Sequence, residues 1–501
     1  MDHAKEKQNP ALPKALAQDV NIPARELLLA NPLAKASPEH AALNDELSPQ
    51  DQKDNRDFLR ALYRLAVPIV FQSLINAAVN SADVFMLAYV HQNALSATAL
   101  AGQVTFVLTL CHMGLSTGTM ILGAQYWGSK SMAAIEKVQG YALRNAAILS
   151  LLFFFATLCF PQALMRLFTP DKQLATLGAG YLQVVGFSYL LMGGSQIMLA
   201  TLKSIERTKL CAFTSCTCLL INVVLNALAI FVLFPGKPML AVCGVAGATV
   251  LARAVELLLC LLWSGKQGAV PLRIRHMLHP EPWLRKSFQK CALPVQINFL
   301  VWGGALTATT ALMGHVSAEM VAASSVAISI RNLAAVASTG LSNSGGILLG
   351  KHLGAQRIAL SKRIGDKLRR WSLLLGATAG LVVLLVRPLC LHMTIAGSET
   401  PALLDGMLLI CAYCCIGKSY NSTLICGVFA AGGDTKFGLY CDAFVMWGVV
   451  LPLGCLFAFG FQSPPLFIFF VLSLDEFIKM PIVARHYRKY AWLQSIILRS
   501  Q

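Results

Sequence analysis

Long apolar stretches recur from about residue 60 to residue 485, and they constrain the fold more than any other feature of the sequence. Each is at least about 20 residues long, enough to cross a hydrocarbon core of about 30 Å as a helix. Lipid offers no partner to free backbone groups, so such stretches must be helical. The sequence therefore predicts an all-α polytopic membrane protein with about twelve transmembrane helices. The predicted spans are 62–89, 97–122, 139–161, 179–202, 210–234, 240–263, 287–313, 318–345, 367–390, 402–430, 437–460 and 464–485.

The basic residues concentrate where the apolar stretches end, and they give the chain a formal net charge of +17. When the loops are assigned to alternate sides of the membrane, roughly 33 of the 41 Lys and Arg residues fall on one side. Because basic loops stay in the cytoplasm, both termini are predicted to be cytoplasmic, in a protein of the inner (plasma) membrane. A basic surface beside anionic lipid also explains the charge without a nucleic-acid partner.

Changes in composition divide the chain into five predicted parts. Residues 1–57 are polar and contain several prolines, which is typical of a disordered cytoplasmic tail. Two six-helix lobes, 58–263 and 287–485, are joined by a basic cytoplasmic linker, 264–286. Residues 486–501 form a predicted cytoplasmic C-terminal tail.

An internal repeat relates the two predicted lobes. At an offset of 226 residues, the segment 66–144 aligns without a gap to 292–370, with roughly fourteen identical positions. The matches include Ala66 with Ala292, Pro68 with Pro294, Gly114 with Gly340, Gly128 with Gly354 and Arg144 with Arg370. Since the offset covers about six helices, an even number, both halves enter the membrane in the same orientation. Parallel lobes of this kind suit alternating access around a site at the middle of the membrane.

The first predicted span carries one polar stripe. Gln72, Asn76, Asn80 and Asp83 follow one another at intervals of four, four and three residues, so they share a helix face. Such groups either line a wet cavity or hydrogen-bond to a neighbouring helix. A carboxylate is harder to explain as helix-to-helix contact than an amide, and Asp83 is predicted to bind a cation or a proton.

The fifth and sixth predicted spans offer possible partners for Asp83. Asn222 and Asn226 lie one helical turn apart, and Thr249 follows in the next span. Their oxygens, with that of Asp83, could form a small site for a hard cation. A proton is the alternative, because desolvation favours a protonated carboxyl group. Arg253 and Glu256, three residues apart, are predicted to neutralise each other as a structural ion pair.

The second predicted lobe also carries charges at mid-depth, namely Arg331, Lys418 and Asp475. One possibility is that these groups pair with one another and serve only the structure. The other is a cationic wall in the cleft, which would favour an anionic or zwitterionic substrate. The same lobe also contains Asp442, Glu476 and Lys479.

Short motifs follow one another in a fixed order from about residue 60 to residue 493. They are Pro68…Asp83-Val84-Phe85-Met86, Gly114…Gly123-Ala124-Gln125-Tyr126-Trp127-Gly128, Leu202-Lys203-Ser204-Ile205-Glu206-Arg207-Thr208, Asn222-Val223-Val224-Leu225-Asn226, Gly244-Val245-Ala246-Gly247-Ala248, Gly427…Gly432-Gly433-Asp434-Thr435-Lys436 and Tyr487-Arg488-Lys489-Tyr490-Ala491-Trp492-Leu493. Together they resemble the multidrug and toxic compound extrusion family. The resemblance implies twelve helices in two lobes and export driven by inward Na⁺ or H⁺.

The resemblance also implies roles for the first-lobe residues. The family's ion-coupling carboxylate corresponds to Asp83, and its partners correspond to Asn222, Asn226 and Thr249. Many members have Asp at the position of Asn226, so one negative charge is missing here, which favours H⁺ slightly over Na⁺.

A second departure concerns the other lobe. One branch of the family has a carboxylate eight residues after the proline of its seventh helix, where this chain has Trp302. The Asp of that branch's tenth helix falls at Ser419. The chain is therefore more similar to the branch that couples ions through the N-terminal lobe.

The hypothesis that combines these observations is that the protein is a secondary active antiporter, which exports small amphipathic organic compounds in exchange for H⁺ or Na⁺. It is expected to be a monomer in contact with membrane lipid, to use no cofactor or metal centre beyond the coupling ion, and not to be an enzyme. A flippase for lipid-linked oligosaccharides and a channel independent of ion gradients are the alternatives. A lipid-modifying enzyme would need His or Asp clusters at one membrane interface, whereas His276 and His279 are interpreted as loop residues of the basic linker.

Overall fold

The architecture is that of a computed structural model, which describes residues 49–90, 92–235, 237–265, 270–392 and 400–497. Most of the predicted N-terminal tail lies outside these ranges. Helices make up nearly all of the described chain, and we label the twelve main ones α1 to α12. They are α1 (Pro49–Val90), α2 (Gln92–Gly128), α3 (Met132–Cys159), α4 (Lys172–Ser204), α5 (Thr208–Ala227), α6 (Pro238–Ser264), α7 (Pro282–Val316), α8 (Ala318–Ala334 and Val336–Gly354), α9 (Ile358–His392), α10 (Thr400–Ser422), α11 (Thr435–Asp442) and α12 (Pro465–Leu472 and Asp475–Tyr487).

Three of these helices continue through wider π-helical turns. The turns are Leu228–Leu233 after α5, Thr423–Phe429 after α10, and both Ala443–Val450 and Leu456–Gly460 after α11, where the short helix Leu451–Cys455 separates the two. Short helices also occur at Pro161–Arg166 and Ile274–Leu278.

Within the described residues, ten helices are long and apolar enough to cross a membrane. The two parts of α8 meet at a bend of 45° and make an eleventh span if they are taken together. The twelfth predicted span, 464–485, corresponds to the two short helices of α12, neither of which is long enough to cross a membrane by itself. The predicted all-α membrane fold is confirmed.

Two helices start earlier than the lobes were predicted to start. α1 is helical from the first described residue, Pro49, and α7 begins at Pro282, where proline is favoured because its missing N–H would have no partner in the first turn. The early turns of α1 are held by an ion pair between Asp54 and Arg357. Hydropathy misses such polar turns, since they extend the helix beyond its apolar part.

The first helix of each lobe begins in the core of the other lobe. Phe58 and Leu62 of α1 are buried in a cluster built mainly from α8 to α12. Leu284 and Phe288 of α7 are buried in a cluster built mainly from α2 to α4. These pairs are separated by 226 residues, the repeat offset, so the exchange is symmetric. The predicted boundaries at 58 and 287 therefore divide the sequence repeat but not the packing.

The lobes pack most closely where α2 and α8 end. A Cβ atom added at Gly128 would lie 1.9 Å from the carbonyl oxygen of Lys351, and one added at Gly354 would lie 1.9 Å from that of Gln125. Each residue of one contact has its repeat mate in the other, as expected of an approximate two-fold axis between the lobes. An ion pair of 2.6 Å between Lys351 and Glu206 lies beside this contact.

The segment after α12 bridges the same end of both lobes. Trp492 is fully buried in the second-lobe cluster. Gln125 of α2 donates to the carbonyl oxygen of Ala431 at 2.7 Å and accepts from the backbone N–H of Ile496 at 2.8 Å. The predicted C-terminal tail is therefore packed structure as far as residue 497.

The glycine contact between the lobes gives a first prediction. Gly128→Ala should lower the melting temperature of the detergent-purified protein, because the added methyl group needs a backbone shift that costs about 1–3 kcal/mol. Gly102→Ala is the matched control in α2, since a Cβ there meets no atom of the described residues within 4 Å. It should leave stability unchanged or raise it slightly, because Ala favours helices over Gly. Equal melting temperatures for both variants would contradict the close contact.

Candidate functional site

Two contacts fix the register of α1 against α5. The side-chain amide of Gln72 donates to the hydroxyl of Ser215 at 2.6 Å. Further along both helices, Met86 packs on Ile230 and Val245. Residue numbers rise in the same direction in both contacts, so α1 and α5 run parallel. Gln72, the first member of the predicted polar stripe, therefore faces the helix that carries Asn222 and Asn226.

A chain of hydrogen bonds joins the predicted partners on α5 and α6. The amide of Asn226 donates to the side-chain oxygen of Asn222 at 3.2 Å. The amide of Asn222 donates to the hydroxyl of Thr249 at 3.3 Å, and that hydroxyl donates to the carbonyl oxygen of Val245 at 3.1 Å. Both asparagines are buried, and Thr249 is half-buried. The structure therefore brings these three predicted site residues together.

The remaining stripe residues are described to different extents. Asn76 is half-buried on α1. The side chains of Asn80 and Asp83 lie outside the described residues, although helix α1 runs through both positions. Position 83 falls between the Gln72 and Met86 contacts on α1, just as Asn226 falls between Ser215 on α5 and Ile230 in the π-helical turn that follows it.

The predicted ion pair on α6 is present. The guanidinium group of Arg253 lies 2.7 Å from the carboxylate of Glu256, which also accepts a hydrogen bond of 2.8 Å from Ser195. The side chain of Glu256 is only 3% exposed, against 28% for Arg253. Glu256 is thus neutralised and hydrogen-bonded, so this pair holds α6 against α4.

In the second lobe, three carboxylates lie close to Lys479. The ammonium group of Lys479 on α12 lies 2.8 Å from Asp442 and 3.3 Å from Asp475. The carboxylate of Glu476 instead accepts from the amide of Asn421 at 2.9 Å. The partner of Asp475 is therefore Lys479 from the same helix, and not Arg331 or Lys418.

Arg331 and Lys418 have no carboxylate oxygen within 4.0 Å among the described residues. Lys418 donates to the side-chain oxygen of Asn332 at 2.7 Å. The Nε atom of Arg331 is buried without a hydrogen-bond partner in the described chain. Both side chains are partly exposed. Asp475 and Glu476 are the acidic side chains within electrostatic range of both cations.

These arrangements differ in what they can do chemically. The Asn222, Asn226 and Thr249 set supplies neutral oxygen atoms, which suit a hard cation or the proton of a neighbouring carboxyl group. No group of three or more His, Cys, Asp or Glu side chains that could hold a metal ion occurs within the described ranges. Sequence reasoning missed Ser215, Ser195 and the central position of Lys479, because no pattern in one helix identifies its partner on another.

Comparison with known proteins identifies the family. The MatE family model matches residues 68–228 and 294–456, which is more than half of the chain and one match in each lobe. The chain therefore belongs to the MatE family and is a membrane transporter. The starts of the two matches differ by 226 residues, which agrees with the internal repeat.

Three bacterial proteins have similar sequences. The uncharacterized transporter YisQ of Bacillus subtilis (strain 168) is 25% identical over 446 residues, or 87% of this chain and 95% of the relative. The probable multidrug resistance protein NorM of Rhizobium meliloti (strain 1021) is 24% identical and covers 63% of this chain and 68% of its own length. The probable multidrug resistance protein NorM of Bradyrhizobium diazoefficiens is 22% identical and covers 87% and 94%.

Solved structures share the fold at low sequence identity. A multidrug resistance MATE family transporter of the MOP superfamily, in an outward-facing conformation, has a TM-score of 0.79 at 16% identity and covers 89% of this chain and 99% of its own. A MOP superfamily transporter from Pyrococcus furiosus, described as having reverse polarity in its binding pocket, has a TM-score of 0.79 at 16% identity and covers 90% and 100%. At this identity the likeness establishes the two-lobed fold alone.

The ion pair on α6 gives a second prediction. Arg253→Leu should destabilise the protein by about 3 kcal/mol, because it leaves the buried carboxylate of Glu256 without a counter-charge. Glu256→Leu should cost less, since the partly exposed Arg253 can reach water. Adding Glu256→Leu to Arg253→Leu should recover part of the loss. Melting temperatures in detergent check this order, and equal losses for the two single variants would contradict it.

Proposed function

We propose that this transporter is a secondary active antiporter that exports small amphipathic organic compounds in exchange for H⁺ or Na⁺. The observation that supports this most directly is the buried chain of Asn226, Asn222 and Thr249 on α5 and α6, beside the helix that carries Asp83. Two relatives named as multidrug resistance proteins support the substrate class. The two parallel lobes supply the frame that alternating access requires.

The coupling ion would bind at position 83 and its neighbours. Equal numbers of residues separate Gln72 from Asp83 on α1 and Ser215 from Asn226 on α5, so the parallel register carries both positions to the same depth. A proton or Na⁺ at Asp83 would remove or neutralise its charge and change how α1 packs on α5. Antiport then requires that ion and substrate each lower the affinity for the other.

The state of the lobes fits entry of the ion from outside the cell. Their closest contacts lie at the ends of α2 and α8, whereas Ala101 and Val104, in the first half of α2, pack within the first-lobe core. The distribution of Lys and Arg assigns the contact end to the cytoplasm. On this assignment the lobes are closed towards the cytoplasm, and the protein lies in the inner membrane with cytoplasmic termini. One chain supplies both lobes, so a monomer suffices.

The first test is dye efflux from proteoliposomes, with H⁺ and Na⁺ gradients imposed separately. Wild type should expel dye when one of these gradients is imposed. The efflux rate of Asp83→Asn should be at least about tenfold lower, since the amide cannot change its charge. Glu319→Gln is the matched control, because Glu319 is an exposed carboxylate at the start of α8. It should transport as wild type does.

Each outcome of the efflux experiment has a definite meaning. Gradient-driven efflux that survives Asp83→Asn would remove Asp83 from the coupling site. Dye flux that ignores both gradients would favour a channel. No dye flux from well-folded wild type would favour a lipid-linked oligosaccharide flippase.

Asn226 provides a prediction about the ion itself. Asn226→Asp adds the negative charge that many members of the family have at this position, and a second carboxylate favours a bound Na⁺. Efflux by this variant should therefore respond more strongly to an imposed Na⁺ gradient than efflux by wild type. Asn222→Asp adds the same charge one turn earlier and serves as the comparison. An unchanged response in both variants would contradict an ion site at the α5 amides.

A further inference from the structure

We infer that Arg331 and Lys418 form an anion-binding subsite in the second lobe that receives the carboxylate group of the substrate. The inference rests on the proposed function, which it deepens by naming a substrate class, namely organic compounds that carry one free carboxylate. The observation that carries it is a guanidinium group inside a transmembrane helix bundle for which the described residues supply no carboxylate counter-ion.

Arg331 lacks an ion-pair partner in the part of the chain that the structure describes. Its Nε atom is buried without a hydrogen-bond partner, and no carboxylate oxygen lies within 4.0 Å of its guanidinium group among the described residues. An arginine at this depth is costly unless it is paired or hydrated, so ionisable groups there serve function by default. By contrast, Arg253 in the first lobe is paired with Glu256 at 2.7 Å.

The nearby carboxylates are held by other groups. Asp442 and Asp475 share the ammonium group of Lys479, and Glu476 accepts from the side chain of Asn421. Each is therefore restrained on the α11 and α12 side of the bundle. None of these carboxylates lies within ion-pair distance of Arg331 or Lys418.

Arg331 on α8 and Lys418 on α10 share their charged surroundings. The acidic groups within electrostatic range of both are on α12, and the thiols in range of Arg331, Cys411 and Cys414, are on α10. Both side chains are partly exposed, and ionisable groups within membrane spans face the bundle interior or a water-filled cavity. Lys418 donates to Asn332, the residue after Arg331, which keeps the two positive charges together.

The charges favour a monoanion over a more highly charged anion. Guanidinium binds a carboxylate through two parallel N–H···O bonds, and an ammonium group adds a third donor. Asp475 and Glu476 lie within electrostatic range of both cations, so a phosphate dianion would meet more repulsion than a carboxylate. A zwitterion or a monoanion with an apolar body fits this arrangement best.

A matched pair of dyes tests the subsite on the purified full-length protein. Rhodamine B has a free carboxylate, and its ethyl ester has none on an otherwise similar amphipathic body. Fluorescence anisotropy should give an affinity at least about tenfold higher for rhodamine B, the difference that charge-assisted hydrogen bonds supply. Arg331→Gln and Lys418→Gln should each reduce this preference without weakening ester binding, which also reports correct folding. Arg331→Lys should keep part of it, and Lys237→Gln, which removes an exposed cation, should keep all of it.

Three results would overturn the inference. They are equal affinity of wild type for the two dyes, a preference that survives both Arg331→Gln and Lys418→Gln, and displacement of rhodamine B by inorganic phosphate but not by acetate. Efflux of both dyes, measured in the same proteoliposomes, separates the two proposals. Gradient-driven efflux without a carboxylate preference overturns the subsite alone. A binding preference that depends on Arg331, in a protein that transports neither dye with a gradient, overturns antiport and leaves the subsite supported.

Discussion

A charge carried into the membrane must be neutralised or hydrated, and much of this structure follows from that constraint. Glu256 is neutralised by Arg253 and accepts a hydrogen bond from Ser195, and Lys479 is neutralised by Asp442 and Asp475. These groups connect helices and have little freedom to bind anything else. Charged groups that this pairing leaves without a counter-charge can therefore interact with a transported ion or substrate. Among the described residues, Arg331 is the clearest case.

The repeat builds a symmetric frame around a site that is not symmetric. Gly128 and Gly354 make equivalent contacts, and the first helix of each lobe begins in the core of the other. The chemistry does not repeat, because Asp83 aligns with Thr309 and Asn76 aligns with Trp302 at the same offset. Packing thus preserves the relation between the halves, while the polar groups have diverged into oxygen donors in the first lobe and paired and unpaired charges in the second.

Hydropathy and self-alignment were sufficient to predict the helices, the two lobes and the repeat. Local spacing was sufficient for the Arg253 and Glu256 pair and for the two asparagines of α5, since both sets lie within one helix. Contacts between helices were not predictable, because the bond between Gln72 and Ser215 and the choice of Lys479 as partner of Asp475 depend on helix rotation and register. The exchanged starts of α1 and α7 were also missed, since polar turns carry little hydropathy signal.

The exchanged helix starts explain how the two lobes could influence each other. The early turns of α1 are buried with the second lobe, whereas its later turns are registered against α5 of the first lobe. Pro68 lies between these two parts and removes one backbone hydrogen bond of the helix. Pro294 holds the same position in α7. A change in how α1 packs on α5 therefore acts on a helix that is anchored in both lobes. Pro68, between the two anchored parts, is the point at which this helix bends most easily.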